Sequence, residues 1–134
     1  KGKFVHEMLE LIRNNAVEID LTNGAQLRDF VYIDDVVDAF YCIVRNASSL
    51  SRGFTSFDIC TNQSVSIKCF LTAIKNKWCS DTRLNFGALP TREGEFHLEN
   101  MVSDNSGLID LGWIAKSNYV DGIANIFDCV KENK

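Results

Sequence analysis

The sequence contains few of the residues that interrupt or cross-link a fold. Proline occurs once and glycine eight times in 134 residues, which excludes collagen-like and proline-rich disordered chains. The five cysteines are odd in number and include no C-x-x-C, so neither a disulfide framework nor a zinc site is predicted. No apolar run approaches the length of a membrane span, and no signal peptide is visible. We therefore expect a protein of the reducing cytoplasm without a membrane partner.

Catalytic motifs with a fixed spacing are also missing. The sequence has no G-x-S-x-G, no H-E-x-x-H and no phosphate-binding P-loop, and its two histidines, His6 and His97, lack metal-ligand spacing. The net charge of -4 argues against a nucleic-acid-binding face driven by bulk charge, although it allows a local basic pocket for a phosphate. We expect no metal and no nucleic acid.

Hydrophobic periodicity predicts an α/β fold with a small sheet and flanking helices in a single domain, residues 1–134. Apolar residues recur at helical spacing in 3–14, 34–46, the segment after Ser66, and the segment after Asn118, and strands are predicted at 19–21, 27–33, 54–59 and 83–86. The helix at 34–46 is apolar nearly all round, so we expect it to be buried on more than one side. The predicted sheet is too small to cover such helices, and the chain begins at Lys1 rather than at methionine. Both observations lead us to expect a piece of a larger α/β protein.

The stretch from Arg28 to Asp38 reads R-D-F-V-Y-I-D-D-V-V-D and is the most informative part of the sequence. Upstream, Asn23-Gly24 predicts a tight turn joining two strands, and Asp34 is predicted to cap the following helix. The guanidinium of Arg28 offers a rigid fork of donors that matches phosphate oxygens. The other interpretation of Arg28 is a surface ion pair with Asp29 or another carboxylate.

R-D-F-V-Y-I-D-D-V resembles the segment that opens the substrate-binding part of extended short-chain dehydrogenase/reductases. These are NAD(P)-dependent epimerases, dehydratases and reductases that act on nucleotide sugars. F-D-I-C-T-N-Q-S-V-S-I at 57–67, F-G-A-L-P-T-R-E-G-E at 86–95 and L-G-W at 111–113 resemble the same family in the same order. The first of these has Cys60-Thr61-Asn62 where many members have G-x-G. The resemblance covers nearly the whole chain, but only the C-terminal part of such an enzyme.

The resemblance implies a substrate site. By analogy with the family, Arg28 and Arg92 contact the diphosphate of the nucleotide sugar. Two guanidiniums suit a pyrophosphate, because a single guanidinium would leave much of the negative charge of the pyrophosphate unneutralised. Glu95 is expected to orient an arginine or to contact a sugar or ribose hydroxyl. Leu21 lies where family members line the base pocket, largely through backbone groups.

The family's catalytic and cofactor-binding motifs are absent from the sequence. It contains neither the Y-x-x-x-K pair nor the glycine-rich turn that binds a dinucleotide. We therefore expect that this chain holds no catalytic residue and binds no cofactor by itself. In the parent enzyme, NAD or NADP would be bound by an N-terminal Rossmann portion. We also expect homo-oligomers where the face that meets this missing portion is uncovered.

The resulting expectation is the nucleotide-sugar-binding part of an NAD(P)-dependent sugar epimerase, dehydratase or 4-ketoreductase, which clamps the substrate diphosphate. The 86–95 loop is similar to that of bacterial O-antigen sugar enzymes, such as those that make CDP-linked dideoxysugars. The alternative is a stand-alone, non-catalytic domain that binds nucleotide sugars or another protein.

Overall fold

The computed structural model of the chain describes residues 3–91 and 103–132. These residues form short strands and flanking helices, which confirms the predicted α/β class. In chain order the elements are α1 (Phe4–Arg13), β1 (Glu18–Leu21), β2 (Leu27–Asp29), α2 (Ile33–Arg45), a 3-10 turn (Ala47–Ser49), β3 (Ser64–Ser66), α3 (Ile67–Trp78), β4 (Arg83–Phe86), α4 (Ser106–Asp110) and α5 (Tyr119–Glu132). No helix among the described residues is long and apolar enough to cross a bilayer.

The strands form two small sheets. β1 pairs with β4 in parallel, with Glu18 opposite Arg83 and Leu21 opposite Phe86. β2 pairs with β3. Asn23-Gly24 lies between two strands, as predicted, but β1 and β2 have different partners and do not form a hairpin with each other.

The chain divides into two compact units. Unit 1 comprises Lys1–Arg28, Val65–Glu99 and Ile123–Lys134, and unit 2 comprises Asp29–Ser64 and Asn100–Gly122. Within the described residues, the chain therefore passes from one unit to the other in β2, in β3 and in α5.

The core of unit 1 is formed by α1, α3 and β1. Ile12, Ile19, Leu71 and Ile74 are buried there, and α1 packs against α3. The hydroxyl of Ser66 accepts a hydrogen bond from the backbone N–H of Cys69 at 3.1 Å and caps the N-terminus of α3, in the segment after Ser66 that is predicted to be helical. The helix α1 and the strand β4 also lie where the sequence pattern predicts them.

The core of unit 2 is centred on Ala39, Leu108 and Trp113. Gly112 has a φ of +88° after α4, a left-handed conformation typical of a helix end, and the next residue, Trp113, is buried in this core. Asn118 caps α5: its side-chain oxygen accepts the N–H of Val120 at 2.8 Å.

Three predictions for unit 2 are wrong. The N-cap of α2 is Tyr32, so Asp34 lies in the first turn and does not cap the helix. Residues 54–59 are not assigned as a strand. α2 buries only one side, through Asp35 and Ala39, and its opposite apolar side is exposed.

Candidate functional site

The carboxyl ends of β1 and β4 lie side by side in unit 1, at Leu21 and Phe86. Ligands of α/β proteins commonly bind beyond the carboxyl ends of parallel strands, where the connecting loops begin. The loop after β1 leads to Arg28, and the loop after β4 leads to Arg92 and Glu95. The two chain segments that lead toward the predicted phosphate ligands thus start at one edge of one sheet.

The loop after β1 is fixed by a backbone hydrogen bond to the first turn of α3 and by a close backbone approach. Gly24 has a φ of +70°, and a Cβ added there would lie 2.9 Å from the Phe86 ring. The Gly24 carbonyl accepts the backbone N–H of Lys68 at 2.9 Å. The ammonium of Lys68 lies 5.4 Å from the centroid of the Phe86 ring, which places a positive charge at the same edge of the sheet.

Arg28 lies in β2 with an exposed side chain. Its Nη1 donates a hydrogen bond to the Leu27 carbonyl oxygen at 2.6 Å. Its guanidinium forms no ion pair with a carboxylate from residues 3–91 or 103–132. The ion pair with Asp29, the other interpretation of Arg28, is not formed.

Leu21 occupies the end of β1 with its side chain in the core. Its carbonyl oxygen accepts the backbone N–H groups of Gly87 and Leu89, both at 3.0 Å. A carbonyl oxygen has two lone pairs, so both are engaged within the fold. The segment after β4 therefore folds back over the end of β1. The other two predicted ligands, Arg92 and Glu95, lie outside the described residues.

Two acidic residues of the R-D-F-V-Y-I-D-D stretch have roles that the sequence analysis missed. The carboxylate of Asp29 accepts the backbone N–H groups of Thr61 at 2.8 Å and Asn62 at 2.9 Å, and also the Thr61 hydroxyl. Asn62 has a φ of +59°, a conformation that asparagine tolerates better than most residues other than glycine. Asn62 thus adopts a glycine-like conformation in the segment where the family commonly has G-x-G.

Asp35, like Asp29, accepts hydrogen bonds from the backbone of a distant segment of unit 2. It is only 2% exposed, and its carboxylate oxygens accept the backbone N–H groups of Lys116 and Ser117, both at 3.0 Å. Its backbone carbonyl accepts the indole N–H of Trp113 at 3.2 Å. A buried carboxylate needs such donors, because an unpaired charge in the interior is costly.

The segments held by Asp29 and Asp35 line a polar cavity of about 240 Å³ within unit 2. Neighbouring groups shift the pKa values of three titratable side chains in or beside this cavity. The hydrogen bond to Asp38 raises the pKa of the Lys116 ammonium, and the hydrogen bonds from Ser106 lower the pKa of the nearby Asp104 carboxyl. Burial, reinforced by the negative charge of Asp29, raises the pKa of the Cys60 thiol.

We predict that Cys60 is the least reactive of the five cysteine thiols toward a disulfide reagent such as DTNB at pH 8. Its raised pKa reduces the thiolate fraction, and its burial blocks access, so it should react at least about tenfold more slowly than Cys69, Cys79 and Cys129, which are exposed. The absorbance trace should contain a slow phase that Cys60→Ser removes. A slow phase that persists in this variant would assign it to another cysteine.

Comparisons with known proteins identify a family and individual proteins to which the chain is similar. Residues 1–59 match the NAD dependent epimerase/dehydratase family. The chain is 29% identical over 128 residues to CDP-abequose synthase of Salmonella typhimurium, a match that covers 94% of this chain and 42% of that protein. It is 31% identical over 122 residues to CDP-abequose synthase of Salmonella muenchen, covering 91% of this chain and 40% of that protein.

Among solved structures, the chain is similar to UDP-glucose 4-epimerase of Thermotoga maritima, determined with UDP-glucose. The TM-score is 0.76 at 21% identity, and the match covers 98% of this chain and 40% of that chain. At this identity the similarity shows a shared fold. The chain spans about two fifths of the length of the curated relatives it matches, 42% and 40%.

Proposed function

The chain belongs to the NAD-dependent epimerase/dehydratase family, and from this premise we propose that it is the C-terminal, nucleotide-sugar-binding portion of an NAD(P)-dependent sugar epimerase, dehydratase or 4-ketoreductase. In this proposal residues 1–134 act as one functional portion that clamps the diphosphate of the substrate. The hydride chemistry belongs to an N-terminal dinucleotide-binding portion that holds NAD or NADP.

One observation carries the proposal. The loops leading to Arg28 and Arg92 begin at adjacent carboxyl ends of the parallel strands β1 and β4, and Arg28 has no carboxylate partner among the described residues. An exposed guanidinium that forms no ion pair within the described residues is available for an anionic ligand. Binding energy gained at the diphosphate, away from the reacting carbon, would position the sugar for hydride transfer.

The described residues do not build a dinucleotide site at this edge. β1 leads through a short loop into β2, whereas a dinucleotide-binding strand leads into a helix whose N-terminus receives the pyrophosphate. Gly24, in that loop, packs against the Phe86 ring and is not open to a phosphate. The geometry therefore favours substrate binding over cofactor binding.

The first nucleotide to test for binding is cytidine diphosphate (CDP). The matched relatives are named CDP-abequose synthases, and we extend the proposal to a CDP-linked sugar of bacterial O-antigen synthesis. The stand-alone alternative predicts that apolar helix faces are covered, whereas α2 exposes one, which favours a portion of a larger enzyme.

We predict that Arg28→Gln weakens CDP binding by about 10- to 100-fold, because a hydrogen-bonded ion pair to phosphate is lost. Isothermal titration of CDP into the 134-residue chain measures this effect. Arg92→Gln should weaken binding to a similar extent. Cytidine has no diphosphate, so its weaker binding should be the same in wild type and in both variants.

Arg83→Gln is the matched control. Arg83 lies at the amino end of β4, away from the proposed site, and its ion pair with Glu18 is exposed, so its loss should affect neither stability nor CDP binding measurably. If Arg28→Gln binds CDP as tightly as Arg83→Gln does, Arg28 is not a diphosphate ligand. A wild-type chain that binds no nucleoside diphosphate would refute the proposed function.

A further inference from the structure

α3 begins with a positive charge, whereas the other long helices in the described part of the chain begin with negative charges. The acidic residues in the first turns of those helices are Glu7 in α1, Asp34 and Asp35 in α2, and Asp121 in α5. The first turn of α3 contains no acidic residue, and its second residue is Lys68. The helix dipole places partial positive charge at this end and therefore disfavours a cation there. The stability of α3 thus does not explain the charge of Lys68.

The backbone donors at the start of α3 are already occupied within the fold. The N–H of Ile67 donates to the Gln26 carbonyl oxygen at 3.0 Å, and the N–H of Lys68 donates to the Gly24 carbonyl oxygen at 2.9 Å. The next N–H is bound by the capping hydroxyl of Ser66. An anion near this end of α3 would therefore be bound by the Lys68 side chain and not by free backbone amides.

An aromatic ring holds the ammonium group of Lys68 at the carboxyl edge of β1 and β4. Its Nζ lies 5.4 Å from the ring centroid of Phe86, the last residue of β4. This cation–π contact restricts a long side chain that would otherwise sample many positions. Phe86 is opposite Leu21 at the end of β1, so the ammonium group lies at the edge from which the segments toward Arg28 and Arg92 begin.

The charge of Lys68 indicates the chemistry of its ligand. The side chain is exposed, and its ammonium group forms no ion pair with a carboxylate from residues 3–91 or 103–132. An ammonium group carries a full charge and three donors, which suit the oxygens of a phosphate better than the partial charges of a neutral base. Lys68 and Arg28 both belong to unit 1. Unit 1 therefore carries two cations that are available to one anionic ligand.

We infer that Lys68 is a further ligand of the substrate diphosphate, in addition to Arg28. This inference rests on the proposed function, since it adds a residue to the same site. The planar fork of Arg28 fixes the orientation of the phosphate oxygens that it binds, whereas Lys68 supplies a compact point charge that follows an oxygen of different position. The attraction between the ammonium group and the bound diphosphate offsets the unfavourable position of Lys68 at the start of a helix.

Lys68→Met tests the inference, because it removes the charge and keeps an unbranched side chain that can contact the Phe86 ring. Isothermal titration into the 134-residue chain should show that CDP binds this variant about tenfold more weakly than wild type. Inorganic pyrophosphate, which has no base, should lose affinity by the same factor. Cytidine, which has no phosphate, should bind both proteins equally. Lys68→Arg retains the charge and should bind CDP within about threefold of the wild-type affinity.

Lys77→Met is the matched control. Lys77 lies in the last turn of the same helix, and its ammonium group is 4.9 Å from the ring centroid of Phe127, so this variant removes the same charge and the same kind of contact. It should leave the affinity for CDP unchanged. Lys77→Met should lower the thermal midpoint by about 2 °C, because the helix dipole favours a cation in the last turn, whereas Lys68→Met should not lower it. A merely structural Lys68 would give a lower midpoint with unchanged affinity.

The outcomes separate this inference from the proposed function. If Lys68→Met binds CDP as tightly as Lys77→Met does while Arg28→Gln binds it weakly, Lys68 is not a ligand and the proposed function stands. Equal losses of affinity for CDP and cytidine in Lys68→Met would overturn the inference in favour of a contact with the base. Binding of pyrophosphate that depends on Lys68, in a chain that does not bind CDP, would support the inference and refute nucleotide-sugar binding. A chain that binds neither compound would refute both.

Discussion

Replacing Asp35 with alanine is expected to lower the free energy of unfolding of unit 2 by about 3 kcal/mol, because two backbone N–H groups lose their charged acceptor. Both donors, Lys116 and Ser117, lie more than eighty positions away in sequence, at separations of 81 and 82. Hydration can compensate little of the loss, since the Asp35 side chain is almost completely buried.

The measurement can isolate unit 2 because the two tryptophans lie in different units. Trp113 is buried in unit 2, where it bonds to the Asp35 carbonyl, and Trp78 is in unit 1. In a Trp78→Phe background, urea unfolding followed by fluorescence therefore reports on unit 2. Asp35→Asn retains one acceptor oxygen and should lose about half as much stability as Asp35→Ala.

Asp34→Ala provides the control for this prediction. Asp34 has the same charge and lies in the same helical turn, but it is exposed and its carboxylate accepts no hydrogen bond from residues 3–91 and 103–132. Its loss should cost no more than about 0.5 kcal/mol through the helix dipole. Equal losses in Asp34→Ala and Asp35→Ala would show that the two amides find other acceptors, and that Asp35 does not hold the 113–117 segment.

Elements that depend on neighbouring residues could be predicted from the sequence. The apolar stripe of α1, the serine cap of α3 and the Gly112 stop after α4 all use signals within a few residues of each other. Pairing partners could not be predicted in this way. Asn23-Gly24 has the local signature of a hairpin, but β1 pairs with β4, more than sixty positions away. Residues 54–59 have strand propensity, but a strand also needs a neighbouring strand.

In the candidate site, too, features with a local sequence signal could be predicted and contacts between distant residues could not. The resemblance pointed to Arg28, and the structure describes its position, while Arg92 and Glu95 lie outside the described residues. Asp29 is predicted as a possible ion-pair partner of Arg28, and Asp35 is part of the R-D-F-V-Y-I-D-D-V motif. They instead bind backbone amides at separations of 32 and 81 residues, for which no local sequence signal exists. Acidic residues that hold distant loops can be recognised only once the fold brings those loops near.

Substituting alanine for Gly24 is expected to destabilise unit 1 by about 3 kcal/mol through two separable costs. The first is the positive φ of +70°, which costs a residue with a Cβ about 1 kcal/mol. The second is steric, because the new Cβ would lie 2.9 Å from two carbons of the Phe86 ring and 3.1 Å from the Cβ of Lys68. Overpacking of this kind costs about 1–3 kcal/mol.

Gly87→Ala separates the two costs within the same site. Gly87 has a φ of +88°, yet a Cβ added there would meet no atom within 4 Å, so this variant should lose only the conformational part, about 1 kcal/mol. Urea unfolding in a Trp113→Phe background, which leaves Trp78 to report on unit 1, measures both variants. Because Phe86 and Lys68 lie at the edge proposed to bind the diphosphate, Gly24→Ala should also weaken CDP binding more than Gly87→Ala does. Equal stability losses in the two variants would mean that the ring moves aside freely, and that the close approach at Gly24 does not fix the geometry of this edge.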